Sequence, residues 1–178
     1  PPGTIAAPAG RAVVLAGSCS TATRGQVAAA IAAGVPHLRI DPIAIADGSL
    51  APSDVLGWLE AQPADTAPLV YSSDDPAKVA EVQQRLGRDG AGHLVETFMA
   101  EVARPLPDRG FTRFLVAGGE TSGAVVGALG VKALSIGPEI DPGVPWTRSR
   151  GGPDIVLALK SGNFGTPDFF LKAWRYLK

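Results

Sequence analysis

Short apolar runs alternate along this chain with stretches of helical periodicity, a pattern that predicts repeated strand–loop–helix units. Residues 12–17 (AVVLAG), 37–40 (HLRI), 68–72 (PLVYS), 111–117 (FTRFLVA) and 154–159 (DIVLAL) read as strands. The alanine-rich stretch 23–33 reads as a helix closed by Gly34 and Pro36. Ser53 reads as the N-cap of a short helix through Ala61. Asp74-Asp75-Pro76 opens a long helical stretch to Ala103, interrupted between Gly87 and Gly92, and a small helix ends at Leu129. Residues 131–136 and 144–148 read as strands near one edge, with Asp141-Pro142-Gly143 turning between them. Thr166-Pro167 opens a last helix over 168–177. Such alternation builds an α/β fold, a three-layer α/β/α domain with a mainly parallel sheet, Rossmann-like in architecture.

The length of 178 residues suits one domain with a real core. Residues 1–10 (PPGTIAAPAG) read as the tail of a linker, which leaves residues 11–178 as the domain. The chain lacks an initiator methionine, and the expectation is a piece of a longer protein. Sixteen Lys and Arg against seventeen Asp and Glu leave a net charge of −1, with no basic stripe for nucleic acid. The single cysteine, Cys19, excludes an internal disulfide. No apolar run approaches the roughly 20 residues of a membrane helix. The expected location is cytoplasmic.

Three loops of small residues follow three of the strands. They are Gly17-Ser18-Cys19-Ser20-Thr21, Gly118-Gly119-Glu120-Thr121-Ser122-Gly123 and Ser161-Gly162-Asn163-Phe164-Gly165. In a parallel sheet, ligands sit beyond the carboxyl ends of the strands, where the strand order reverses. A helix N-terminus leaves N–H groups unpaired and carries about half a positive charge, which suits phosphate. Glycines admit an oxyanion close to the backbone, and the hydroxyls of Ser18, Ser20, Thr21, Thr121 and Ser122 add donors. Turn geometry and capping alone also favour Gly, Ser and Thr, so one such loop carries little weight, whereas three together favour a binding site. Neither G-x-x-x-x-G-K-[ST] nor the dinucleotide fingerprint G-x-G-x-x-G is present.

GSCS at 17–20, GGETSG at 118–123 and above all KSGNFG at 160–165 resemble the C-terminal domain of the four-carbon acid sugar kinase family, in matching order from Val13 to Leu177. The resemblance implies the ATP-binding half of a two-domain enzyme that phosphorylates threonate, erythronate or 3-oxo-tetronate acids at a terminal hydroxyl. The sugar acid and the general base then belong to an N-terminal domain, so this piece alone binds nucleotide with little or no turnover. By motif, the ATP contacts are Ser18 or Ser20, Gly118, Gly119, Glu120 and Thr121, and Gly162, Asn163 and Gly165. ATP with Mg²⁺ is the implied cofactor. Glu120 either approaches that metal or the nucleotide, or is an ordinary first-turn acid. Two other classes stay open: a non-catalytic nucleotide sensor, and a transferase that cradles a sugar phosphate.

Other residues take plainer readings. Cys19 has no histidine base placed near it and reads as a buried small residue. Asp41, Asp47, Asp74 and Asp75 read as turn and cap residues. Trp146 is either exposed beside Arg148 and Arg150, to cover a base or meet another domain, or packed in an edge strand. Lys160 either touches phosphate or is a solvated lysine at a strand end.

Overall fold

Seven strands form one sheet in the computed structural model, which describes residues 3–72 and 74–178. In chain order the elements are β1 (Arg11–Ala16), α1 (Thr21–Ala32), β2 (His37–Arg39), α2 (Pro42–Ala46), α3 (Pro52–Ala61), β3 (Leu69–Tyr71), α4 (Pro76–Leu86) and α5 (Arg88–Ala103). There follow β4 (Phe111–Ala117), α6 (Gly119–Ala128), β5 (Ala133–Asp141), β6 (Val144–Arg150), β7 (Val156–Lys160) and α7 (Phe169–Lys172). The sheet order is β2-β3-β1-β4-β7-β6-β5. The first five strands are parallel, and β6 and β5 run antiparallel as an edge hairpin.

The central strands are buried on both faces, and their side chains alternate between two cores. Val13, Leu15, Phe114 and Val116 face one core with Leu59 of α3, Met99 of α5 and Val125 of α6. Val14, Ala16, Leu115 and Ala117 face the other with Val27 of α1 and Phe169 of α7. Helices on both faces of a mainly parallel sheet are the expected three-layer α/β fold.

Local chemistry moves several boundaries. Helix α3 starts at Pro52, so Ser53 lies inside it; the N–H of Ala51 donates to Asp54 Oδ2 at 2.8 Å. Asp41 caps a helix not anticipated, α2, by accepting from the Ile43 N–H at 2.9 Å. Asp75 caps α4 through the Lys78 N–H at 3.0 Å. The break after α4 is one residue, Gly87 with φ of 78°, and Gly90 and Gly92 lie within α5. The last helix is shorter than expected: α7 tightens into a 3₁₀ turn over Ala173–Tyr176, and Leu177 is extended.

That extended end meets the start of the chain. Within residues 3–10, read above as a linker, Ile5 and Ala7 pair with the C-terminus, the Ile5 N–H donating to Tyr176 O at 2.9 Å and the Lys178 N–H to Ile5 O at 2.9 Å, while Pro8 and Ala9 accept from side chains of β4. Trp146 is fully buried, not exposed: it packs on Trp174 with ring centroids 5.5 Å apart and donates Nε1–H to Ala173 O at 2.8 Å. Edge-strand packing is therefore its role. Arg148 is engaged by Asp154 at 3.0 Å.

Candidate functional site

Strands β1, β4 and β7 are parallel neighbours, so the three small-residue loops leave the same sheet edge side by side. Strand β1 pairs with β3 on one side and β4 on the other, which makes this edge a switch point. The ladder continues into the loops: the Gly17 N–H donates to Ala117 O at 2.9 Å and the Gly118 N–H to Lys160 O at 2.8 Å. The loops also touch through positions without a side chain. A Cβ at Gly17 would lie 2.1 Å from Thr121 Oγ1, and one at Gly162 would lie 2.8 Å from Ser18 Oγ. Helices α1 and α6 begin at this edge and direct the positive ends of their dipoles at it.

The third loop is tied to α1 from beneath. Ser20 caps α1, its Oγ accepting from the Thr23 N–H at 3.2 Å and donating to Gly162 O at 2.5 Å. Gln26 donates to Phe164 O and Thr166 O, each at 3.1 Å. Lys160 is wholly buried, which overturns its reading as a solvated lysine. Its Nζ donates to Gly162 O at 2.7 Å, Thr23 Oγ1 at 3.0 Å and Ser161 O at 3.2 Å, and burial holds its pKa down at about 8.

Above the loops opens a cleft of about 820 Å³. Six of the residues singled out from sequence line it together: Ser18, Gly118, Gly119, Glu120, Thr121 and Gly162. Three others do not. Ser20 works below as a cap, Asn163 is exposed at the loop tip, and Gly165 (φ 88°) packs against Phe169 and Gln26. Cys19 departs from expectation: it is exposed and lines the cleft, because it stands in the loop between β1 and α1 rather than on either element.

The opposite wall comes from residues that the sequence did not single out for ligand binding. Val79 and Val82 of α4 and Ala91 and Val95 of α5 supply apolar surface, with Gln83 beside them. Arg39 and Lys78 both pair with Asp74, the latter at 3.6 Å. Burial alone would raise the Asp74 pKa, but the Asp75 N–H and the Arg39 charge outweigh it and hold the carboxyl low. Glu96 of α5 faces Glu120 of α6; burial, and then the neighbouring Glu120 carboxyl, push the Glu96 pKa up. These residues resemble any amphipathic helix face, and only the tertiary packing sets them opposite the loops. Among the described residues no helix is long and apolar enough to cross a membrane.

Comparison with known proteins agrees with this geometry. The family model described as a nucleotide-binding C-terminal domain matches residues 13–170, a span that holds all three loops. A 3-oxo-tetronate kinase of Pseudomonas fluorescens is 53% identical over 165 residues, covering 93% of this chain and 38% of its own length. One of Cupriavidus necator is 52% identical over 168 residues, covering 94% and 38%. The chain thus spans about two-fifths of the length of these relatives. A crystal structure of a Haemophilus influenzae protein superposes with a TM-score of 0.88 at 38% identity, over 96% of this chain and 41% of that one. The resemblance carried by the three loop motifs is borne out, and the chain belongs to the family of nucleotide-binding C-terminal domains.

Proposed function

We propose that this chain is the ATP-binding domain of a kinase that phosphorylates four-carbon sugar acids, of the 3-oxo-tetronate type, at a terminal hydroxyl. The observation that carries the reading is the convergence of three small-residue loops and two helix N-termini on one cleft at the switch point. The names of the relatives supply the reaction class. In this reading the phosphates lie against Ser18, Gly118, Gly119, Thr121 and Gly162, while Ser20, Asn163 and Gly165 shape the loops that hold them. Residues 11–178 act as the nucleotide domain, and residues 1–10 lead from a domain that binds the sugar acid and supplies the base.

The donor set suits Mg²⁺ carried on the nucleotide: Glu120, with Glu96 beside it, offers hard oxygen ligands at the cleft. When bound, such an ion would neutralise charge on the transferring phosphoryl group. The protein's own part is positioning: fixed N–H groups and hydroxyls meet the phosphate charge without reorganising.

Gly119 supplies the test. A Cβ built there meets nothing within 4 Å, and its φ is not positive, so Gly119→Val extends into the cleft at little cost to the fold. In the longer protein that carries this domain, ATP-dependent phosphorylation of threonate, erythronate and 3-oxo-tetronate is the assay. The expected result is turnover on at least one acid, reduced at least about tenfold by Gly119→Val, equivalent to about 1.4 kcal/mol of transition-state stabilisation. Unchanged turnover in the variant, or none on any four-carbon acid, contradicts the reading.

A further inference from the structure

A lysine is ordinarily buried only beside a carboxylate, because an uncompensated ammonium in low dielectric is costly. Lys160, the last residue of β7, is fully buried and makes no ion pair among the described residues. Its three acceptors are two carbonyls and a hydroxyl, all uncharged. The charged groups on the elements around it include Arg113 on β4, Arg148 on β6, Arg24 on α1, Glu120 on α6 and, beyond the third loop, Asp168, Asp141 and Lys172. The last two pair with each other at 2.5 Å.

The acceptors matter as much as the burial. A trans peptide points its C=O and the following N–H in opposite directions, and the chain has no cis bonds among the described residues. By drawing the carbonyls of Ser161 and Gly162 inward, Lys160 turns the N–H groups of Gly162 and Asn163 the other way. Ser20 and Thr23 hold the Gly162 carbonyl in the same orientation, at 2.5 and 3.1 Å. Of the two donor residues Gly162 lines the cleft, while Asn163 stands exposed at the loop tip.

We propose that Lys160 is the positioning residue of the phosphate cradle and its built-in countercharge: it fixes the third loop for an incoming phosphate, whose negative charge completes the buried ammonium. The inference rests on the nucleotide reading above and names the protein charge that the phosphates answer. It has a proton signature. In the free chain Lys160 is partly deprotonated above about pH 8, and a bound polyanion favours its charged form, so binding in that range takes up a proton.

The test is calorimetry of Mg-ADP binding to this chain at about pH 8.5 and about pH 6.5, each in two buffers of different ionisation enthalpy. Expected is fractional proton uptake at the higher pH, absent in Lys160→Met. That variant keeps the side-chain length and removes the charge. Its affinity is expected to fall about tenfold or more at the lower pH, with folding verified by circular dichroism. As a readout that needs no variant, ¹³C-labelled lysine should show one methylene titrating near pH 8 that moves upward with Mg-ADP. ADP binding without proton uptake and without that movement overturns the role of Lys160 and leaves the nucleotide reading standing. Absence of ADP binding at both pH values overturns the nucleotide reading itself, and this inference with it.

Discussion

Two glycines of the candidate site do opposite work, and substitution should separate them. Gly119 faces open cleft, whereas Gly165 has φ of 88° and would place a Cβ 2.9 Å from both Gln26 Nε2 and the Phe169 ring. Gly165→Ala is expected to cost at least about 2 kcal/mol of stability in urea unfolding, from left-handed strain and overpacking together. Gly119→Val should stay within about 1 kcal/mol of the parent, since only helix propensity changes. Lys160 adds a pH signature. Its folded pKa of about 8 lies below the unfolded value near 10.4, so between them the unfolded chain holds the extra proton. Stability from this group therefore rises with pH across that window, and Lys160→Met should flatten the rise in unfolding measured from pH 8 to 10. At this scale the sequence was partly legible. Small residues at 17–20, 118–123 and 161–165 announced the loops, but not which hydroxyl faces the cleft. Ser20 is spent on a cap and on Gly162, a division of labour that depends on a partner 142 residues away.

The ends of elements hold the domain together where its helices are short. Helix α7 has four residues, too few to stand by propensity, and Lys172 anchors it to Asp141 at the end of β5 at 2.5 Å. The other oxygen of Asp141 accepts from the Thr166 N–H at 2.9 Å. Burial alone would raise the Asp141 pKa, but the Lys172 and Thr166 hydrogen bonds outweigh it and hold it low. Such a carboxylate stabilises the fold above its unfolded pKa near 3.9 and ceases to as pH falls through its lower folded value. Asp141→Ala is expected to lose about 2–4 kcal/mol in urea at neutral pH, with the difference from the parent shrinking under acid. A variant as stable as the parent at neutral pH would remove Asp141 from the anchoring of the C-terminus. Strong local signals placed most elements, as with the β-branched and aromatic run 111–117 that became β4 unchanged. They failed in two places: α2 is opened by the Asp41 cap in a stretch with little periodicity, and the pattern at 168–177 ends early, where Leu177 pairs with Ile5.

Across the whole molecule, alternation of apolar runs and helical stretches was enough to imply a three-layer domain, because doubly covered parallel strands must be apolar throughout. Strand order was not legible, since it depends on pairings between distant segments. That order is what makes a site: by setting β1 between β3 and β4 and β7 beyond β4, it brings three separate loops to one edge and lays α4 and α5 across from them. The central claim is that the resulting cleft binds a nucleotide through its phosphates. It is tested most directly by unfolding this chain thermally with and without Mg-ATP, Mg-ADP, GTP and NAD. At a hundredfold excess over Kd, a ligand specific for the native state adds about 2.7 kcal/mol, or about 5–10 °C at this chain length. The account predicts such a shift with ATP or ADP, absent in Gly119→Val although that variant unfolds near the parent temperature. No shift at millimolar nucleotide, or an equal shift in Gly119→Val, would contradict it.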